Sequence, residues 1–271
     1  MSVSQALNAR MLGTGDDILV LAHGFGTNQS VWSRMLPALA ARYRVLLFDL
    51  PCAGSSAADF FDIRRHGTLD GYIEDLLHVL TEQKVQHCTY VGHSLSGMIG
   101  LLAARRVPQR FDRLIMIGAS PRYLNAPGYG GGMDPSGVGQ LLDAIDTVFQ
   151  TWAKSYAPIA LKRAMDHPAT QEFTESLLSM RPDIALLTAK LIFSIDFRAD
   201  LPECPVSTAI LQTRDDPAVP QAVATYLHAH IPGSDLRIIE TTGHLPHLTD
   251  PGLMLEALAP YLPPTPPPTT H

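Results

Sequence analysis

The chain has 271 residues, 46% of them apolar and 17% charged, with a formal net charge of −6. That balance suits a globular protein with a substantial core. It excludes the Lys/Arg-rich surface of an electrostatic nucleic-acid binder and the basic amphipathic helix of a membrane-surface protein.

No apolar run approaches the ~18 residues of a membrane-spanning helix, and Met1-Ser2-Val3-Ser4-Gln5 lacks the basic patch and apolar stretch of a secretory leader. Three cysteines, Cys52, Cys88 and Cys204, are too few and too scattered for a disulfide framework or a zinc site. The expectation is a cytoplasmic protein, nuclear entry also being open in a eukaryote.

Apolar runs ending in glycine or polar residues recur along the chain. Ile18-Leu19-Val20-Leu21-Ala22 leads into His23-Gly24-Phe25-Gly26, and Val45-Leu46-Leu47-Phe48 into Asp49. Further runs cover 89–91, 114–117, 208–211 and 236–239. Strands this apolar are buried on both faces, as in a parallel sheet covered by helices. Between them, 68–82 places Leu69, Tyr72, Ile73, Leu76, Leu77 and Leu80 at helical spacing, and 95–106 forms a second helix rich in small residues. Such alternation predicts an α/β fold with right-handed crossovers.

The rhythm breaks between Ser120 and Leu201, where a glycine-rich loop (128–132) precedes helical patterns over 137–152, 158–165, 168–178 and 182–194. Helices inserted between two strands imply a cap over the sheet. The expected division is a core of 1–120 and 202–262, a helical lid of 121–201, and a Pro-rich tail of 263–271, extended and unpacked.

Thr89-Tyr90-Val91-Gly92-His93-Ser94-Leu95-Ser96-Gly97 carries the strongest chemical signal. It places Ser94 at a sharp strand-to-helix turn, where strain exposes a hydroxyl at the carboxyl edge of the sheet. In the Gly-x-Ser-x-Gly pattern Ser96 holds the last glycine position and Gly97 follows it. A serine nucleophile needs a base oriented by a third group. Thr213-Arg214-Asp215-Asp216-Pro217-Ala218-Val219-Pro220 and Thr241-Thr242-Gly243-His244-Leu245-Pro246-His247 follow later strands, so acid and histidine stand in the chain order of this fold. Asp215, Asp216 and Asp250 are all candidate acids. Gly243 favours His244 over His247 as the base. The N–H groups of Phe25 and Leu95 are the expected oxyanion donors. His23, His93, His244 and His247 invite a metal reading, but no ligand spacing accompanies them, and no phosphate-cradling glycine motif appears. Neither a metal nor a cofactor is expected.

With these residues in hand, the chain resembles the α/β-hydrolases that include the plant strigolactone and karrikin receptors and the bacterial stress-response regulator RsbQ. The likeness runs from about Leu7 to Leu262. It is carried by His23-Gly24-Phe25-Gly26-Thr27-Asn28-Gln29-Ser30-Val31-Trp32, Phe48-Asp49-Leu50-Pro51-Cys52-Ala53-Gly54-Ser55, Thr68-Leu69-Asp70-Gly71-Tyr72, Val91-Gly92-His93-Ser94, Ala119-Ser120-Pro121-Arg122-Tyr123-Leu124-Asn125 and Gly243-His244-Leu245-Pro246-His247-Leu248.

The resemblance implies an α/β-hydrolase fold with a V-shaped lid of four helices. It implies a triad of Ser94, His244 and Asp216, the acid settled by its place before Val219-Pro220. It also implies an apolar pocket lined by Phe25, Tyr123, Trp152, Tyr156, Phe193, Ala218 and His247. The expected activity is cleavage of a small apolar ester or lactone of the butenolide type, with a signal-perception role. The partner implied is a signalling protein recruited through the lid (an F-box protein in plants, a phosphatase in bacteria). A receptor with incidental turnover, a general carboxylesterase, a carbon–carbon bond hydrolase and a perhydrolase share the fold. Epoxide hydrolases and dehalogenases carry aspartate where Ser94 stands.

Overall fold

The computed structural model describes residues 1–51, 53 and 60–264; the expectations on Cys52, Gly54, Ser55 and most of the Pro-rich tail lie outside them. Seven strands form one sheet in the order β1-β3-β2-β4-β5-β6-β7. They are β1 (Arg10–Leu12), β2 (Ile18–Ala22), β3 (Arg44–Phe48), β4 (Cys88–His93), β5 (Phe111–Ile117), β6 (Thr208–Asp215) and β7 (Asp235–Thr242). All neighbours are parallel except β1, which runs antiparallel to β3. The sequence reading misses β1. It has three residues, and its flanks Arg10 and Leu12 are exposed, so it borrows its strand character from β3.

Leu19, Val20, Leu21 and Ala22 of β2 are fully buried. Such continuous burial is what the uninterrupted apolar runs encode. The chain steps from β2 outward to β3, then returns to the other side of β2 to form β4. In an open α/β sheet that reversal opens a crevice at the carboxyl ends of the strands, where ligands bind.

Among the described residues, the helices of eight or more residues are α1 (Leu69–Glu82), α2 (Leu95–Arg106), α3 (Pro135–Thr147), α4 (Phe149–Leu161), α5 (Pro168–Leu178), α6 (Pro182–Ser194), α7 (Gln221–His230) and α8 (Pro251–Leu258). Every residue of α2 from Leu95 to Ala104 is buried. Its small residues let it press onto β4: a Cβ on Gly100 would meet the Tyr90 ring at 2.3 Å.

Helices α3 to α6 lie between β5 and β6, with α3 packed on α4 and α6, and α4 on α5. Two boundaries differ from the sequence reading. The break falls at Val148 (φ −138°, ψ 45°), and α4 runs through Pro158 before Lys162 ends it in the left-handed region at φ 50°. Pro158 forfeits one helical hydrogen bond, yet Ala157, Ala160 and Leu161 bury themselves against the protein, and that packing carries the helix onward. Where the tail begins, Tyr43 donates a hydrogen bond to the Pro263 carbonyl at 2.9 Å.

Candidate active site

Ser94 occupies the turn between β4 and α2 with φ 55° and ψ −122°. A non-glycine residue holds such a conformation only where its surroundings over-determine it. Those surroundings are glycines. A Cβ on Gly92 would lie 2.5 Å from the Ser96 carbonyl, and one on Gly97 would lie 2.5 Å from the Ala119 Cβ. The Ser94 N–H donates to the Ile117 carbonyl at 2.8 Å, tying the turn to β5. Ser96, where the usual pattern has glycine, is fully buried and donates its hydroxyl to the His23 carbonyl at 2.5 Å. It fastens the nucleophile turn to the loop that carries Phe25.

His244 sits just past β7, after Gly243 at φ 93°. Its Nε2 lies 3.0 Å from Ser94 Oγ and its Nδ1 2.7 Å from Asp216 Oδ2. The other Asp216 oxygen accepts the N–H groups of Ala218 at 2.8 Å and Val219 at 3.0 Å. Asp216 is thereby aimed at the imidazole, which keeps its proton on Nδ1 and leaves Nε2 to accept from the serine. The other candidate acids are engaged elsewhere: Asp215 pairs with Lys162, and Asp250 with Arg163, Thr241 and Thr249.

The remaining histidines buttress this group. His93 Nε2–H donates to the His244 carbonyl at 2.8 Å, and His23 Nε2 accepts the Leu50 N–H at 2.9 Å. Burial holds the pKa values of His23 and His93 below the usual imidazole range and pushes His247 down to about 3. Among the described residues no three His, Cys, Asp or Glu side chains are arranged to hold a metal ion.

A cavity of about 100 Å³ opens above Ser94 and His244. Phe25, Tyr123, Trp152, Tyr156, Phe193 and Ala218 line it. His247, expected in the same wall, is elsewhere: it is fully buried and stacks on Trp32, with ring centroids 4.3 Å apart. Pro246 begins a helical turn that points it into the core. The sequence reading missed Met133, Leu141, Ile159, Phe173 and Ile192 in the lining, because an apolar side chain carries no mark of whether it meets a ligand or the core. Tyr156 stacks on Trp152 at 5.3 Å, and burial raises its pKa to about 12. The Tyr123 hydroxyl, also kept protonated by burial, lies 3.3 Å from Ser94 Oγ. Both phenols line the cavity as neutral groups, and that of Tyr123 reaches the nucleophile. Leu95 opens α2, so its N–H lies in the first turn of a helix, where no intrahelical acceptor exists.

Residues 19–257 match the Alpha/beta hydrolase family. The chain belongs to it. It is 43% identical to strigolactone esterase D14 of Arabidopsis thaliana, over 97% of this chain and 98% of that protein. It is 42% identical to karrikin insensitive 2 receptor CA of Petunia hybrida, over 94% and 95%. A hydrolase from Oleispira antarctica superposes with a TM-score of 0.90 at 30% identity, covering 96% of this chain and 95% of the other. The α/β-hydrolase here carries an assembled Ser–His–Asp triad and is an enzyme of the hydrolase class.

Proposed function

We propose that this α/β-hydrolase cleaves a small apolar ester or lactone of the butenolide enol-ether type, and that cleavage serves the perception of that molecule. The observation carrying the reading is the unbroken relay from Ser94 Oγ through His244 to Asp216 at the floor of an apolar cavity. Ser94 Oγ attacks the carbonyl carbon while His244 Nε2 takes its proton. Asp216 stabilises the imidazolium, which then protonates the departing enol oxygen. The N–H groups of Phe25 and Leu95 hold the oxyanion. Water, deprotonated by His244, then attacks the acyl carbon, and the imidazolium returns the proton to Ser94 Oγ as its bond to the acyl group breaks.

The ligand class is supported by the aromatic walls and by the strigolactone- and karrikin-named relatives. The cavity of about 100 Å³, set against roughly 10–15 Å³ for one water, favours a compact molecule. Residues 121–201 act as its lid, since Tyr123, Trp152, Tyr156 and Phe193 come from that segment. Val148 and Met165, exposed on the same segment, offer a signalling partner apolar contacts. Free Cys88 and Cys204 suit a reducing cytoplasm.

A receptor with incidental turnover is the second reading, favoured by the Petunia relative's name. Incubation with a fluorogenic butenolide enol-ether probe, beside Ser94→Ala, tests both by product release and intact mass. A burst with a persistent adduct on the wild type alone supports perception, and fast multiple turnover a metabolic esterase. No reaction with probe or simple esters overturns the hydrolase reading.

A further inference from the structure

Helix α4 performs two tasks. Along its length Trp152, Tyr156, Ile159 and Ala160 face the cavity. At its carboxyl end it grips the loop of the catalytic base. The Ala160 carbonyl accepts the backbone N–H of His244 at 2.7 Å. The contact is close enough that a Cβ on Gly243 would lie 2.4 Å from the Leu161 carbonyl.

Side chains just beyond the helix close the grip. Arg163 Nη1 donates to Thr242 Oγ1 at 3.0 Å and Nη2 to Asp250 Oδ2 at 2.8 Å, so one guanidinium reaches both sides of His244. Lys162 pairs with Asp215, whose carbonyl accepts the Gly243 N–H at 2.8 Å. The side chains of Lys162 and Asp215 are 36% and 54% exposed, so solvent screens that pair. Those of Arg163 and Asp250 are only 23% and 27% exposed. The planar fork of Arg163 is the better-defined bond.

We infer that Arg163 is a positioning residue for the triad: it locks the end of α4 to Thr242 and Asp250 so that Ala160 holds His244 in line with Ser94. It acts through His244 and touches no reacting atom. The wall that meets a ligand and the carbonyl that holds the base then belong to one helix. A ligand that displaces α4 disturbs the base directly. The inference rests on the triad reading given above.

Arg163→Ala and Arg163→Lys, beside wild type and a Ser94→Ala blank, test it with p-nitrophenyl acetate. The readouts are the rate of Ser94 acylation, KM and the melting temperature, together with amide hydrogen exchange in the peptide containing His244, which needs no turnover. Arg163→Ala is expected to slow acylation roughly tenfold, as a sub-ångström misplacement of a base does. KM should stay within about twofold, and exchange at His244 should rise. Arg163→Lys keeps a cation for Asp250 but loses the fork that also reaches Thr242, so it should recover only part of both. Unchanged exchange in Arg163→Ala overturns the inference, as does acylation within twofold of an active wild type. A melting-temperature loss that lysine restores without moving the acylation rate also overturns it, by reducing Arg163 to a structural strap. A wild type that makes no acyl-enzyme removes the hydrolase reading alone, and the exchange result then decides the grip.

Discussion

Among the described residues, two buried histidine–aspartate pairs are close enough to share a hydrogen bond, and only one of them is built to react. His244 Nδ1 lies 2.7 Å from Asp216, and His66 Nε2 lies 2.9 Å from Asp75. Both imidazoles are withdrawn from solvent. They differ at the second nitrogen. That of His244 faces the Ser94 hydroxyl in the cavity, while that of His66 accepts the Asp62 N–H at 3.0 Å. Arg65 pairs with Asp75, and Phe60, Phe61 and Tyr72 surround the ring. Every position a substrate or proton would need around His66 is taken. A buried His–Asp pair is therefore no signature of catalysis; an accessible third group makes it one.

Alanine at each histidine separates the two pairs most widely. His244→Ala should slow Ser94 acylation by at least about a thousandfold, with little change in melting temperature. His66→Ala should leave acylation per folded molecule within about threefold. It takes from Asp75 one of its two partners, Arg65 remaining, and empties the space of a buried ring, which together cost about 3 kcal/mol and lower the melting temperature by roughly 10 °C. Acylation rates and melting curves on the same preparations check this. A folded His66→Ala protein with no acylation would break the distinction.

Acid sharpens the comparison, because a third kind of histidine lacks even a carboxylate. His247 has its pKa held at about 3 by burial, against about 6.5 in the unfolded chain. Between those values the unfolded state binds a proton that the folded state refuses, so stability rises with pH through that window and falls on acidification. From pH 6.5 to 5 the loss from His247 amounts to about 2 kcal/mol. His23 and His93 shift in the same direction. Urea melts at pH 7 and 5 should show the loss, and His247→Gln should make it shallower, leaving the share of His23 and His93. An unchanged slope in that variant would mean that His247 does not titrate on unfolding.

The legible parts of this molecule are those that local chemistry dictates. The apolar runs mark six of the seven strands because a covered parallel sheet demands them. Gly92, Gly97 and Gly243 mark the turns that aim Ser94 and His244 because a side chain there would collide with backbone or a buried methyl. What sequence conceals depends on distant partners. Edge strand β1 exists through β3, and α4 continues past Pro158 because of what it packs against. His247 turns toward Trp32, a contact that no spacing around His247 announces. The bond from Ala160 to His244 is likewise written in neither segment alone.

The smallest effect comes from the position where the nucleophile motif departs from its usual glycine. If Ser96 were tolerated only for its size, Ser96→Gly would be neutral, since nothing larger than a methylene and a hydroxyl is removed. The Ser96 hydroxyl, however, satisfies the His23 carbonyl from a fully buried position, next to the loop that presents Phe25. Removing it leaves that carbonyl without its donor, and glycine adds backbone freedom near the start of α2. Together these should destabilise the protein by about 1–2 kcal/mol, read by denaturant melts. Acylation should fall about twofold to fivefold through a looser oxyanion loop. Full stability in Ser96→Gly would show that the serine only fills the glycine's place. Lost stability with an untouched acylation rate would show that the tie holds β2 to α2 without reaching the chemistry.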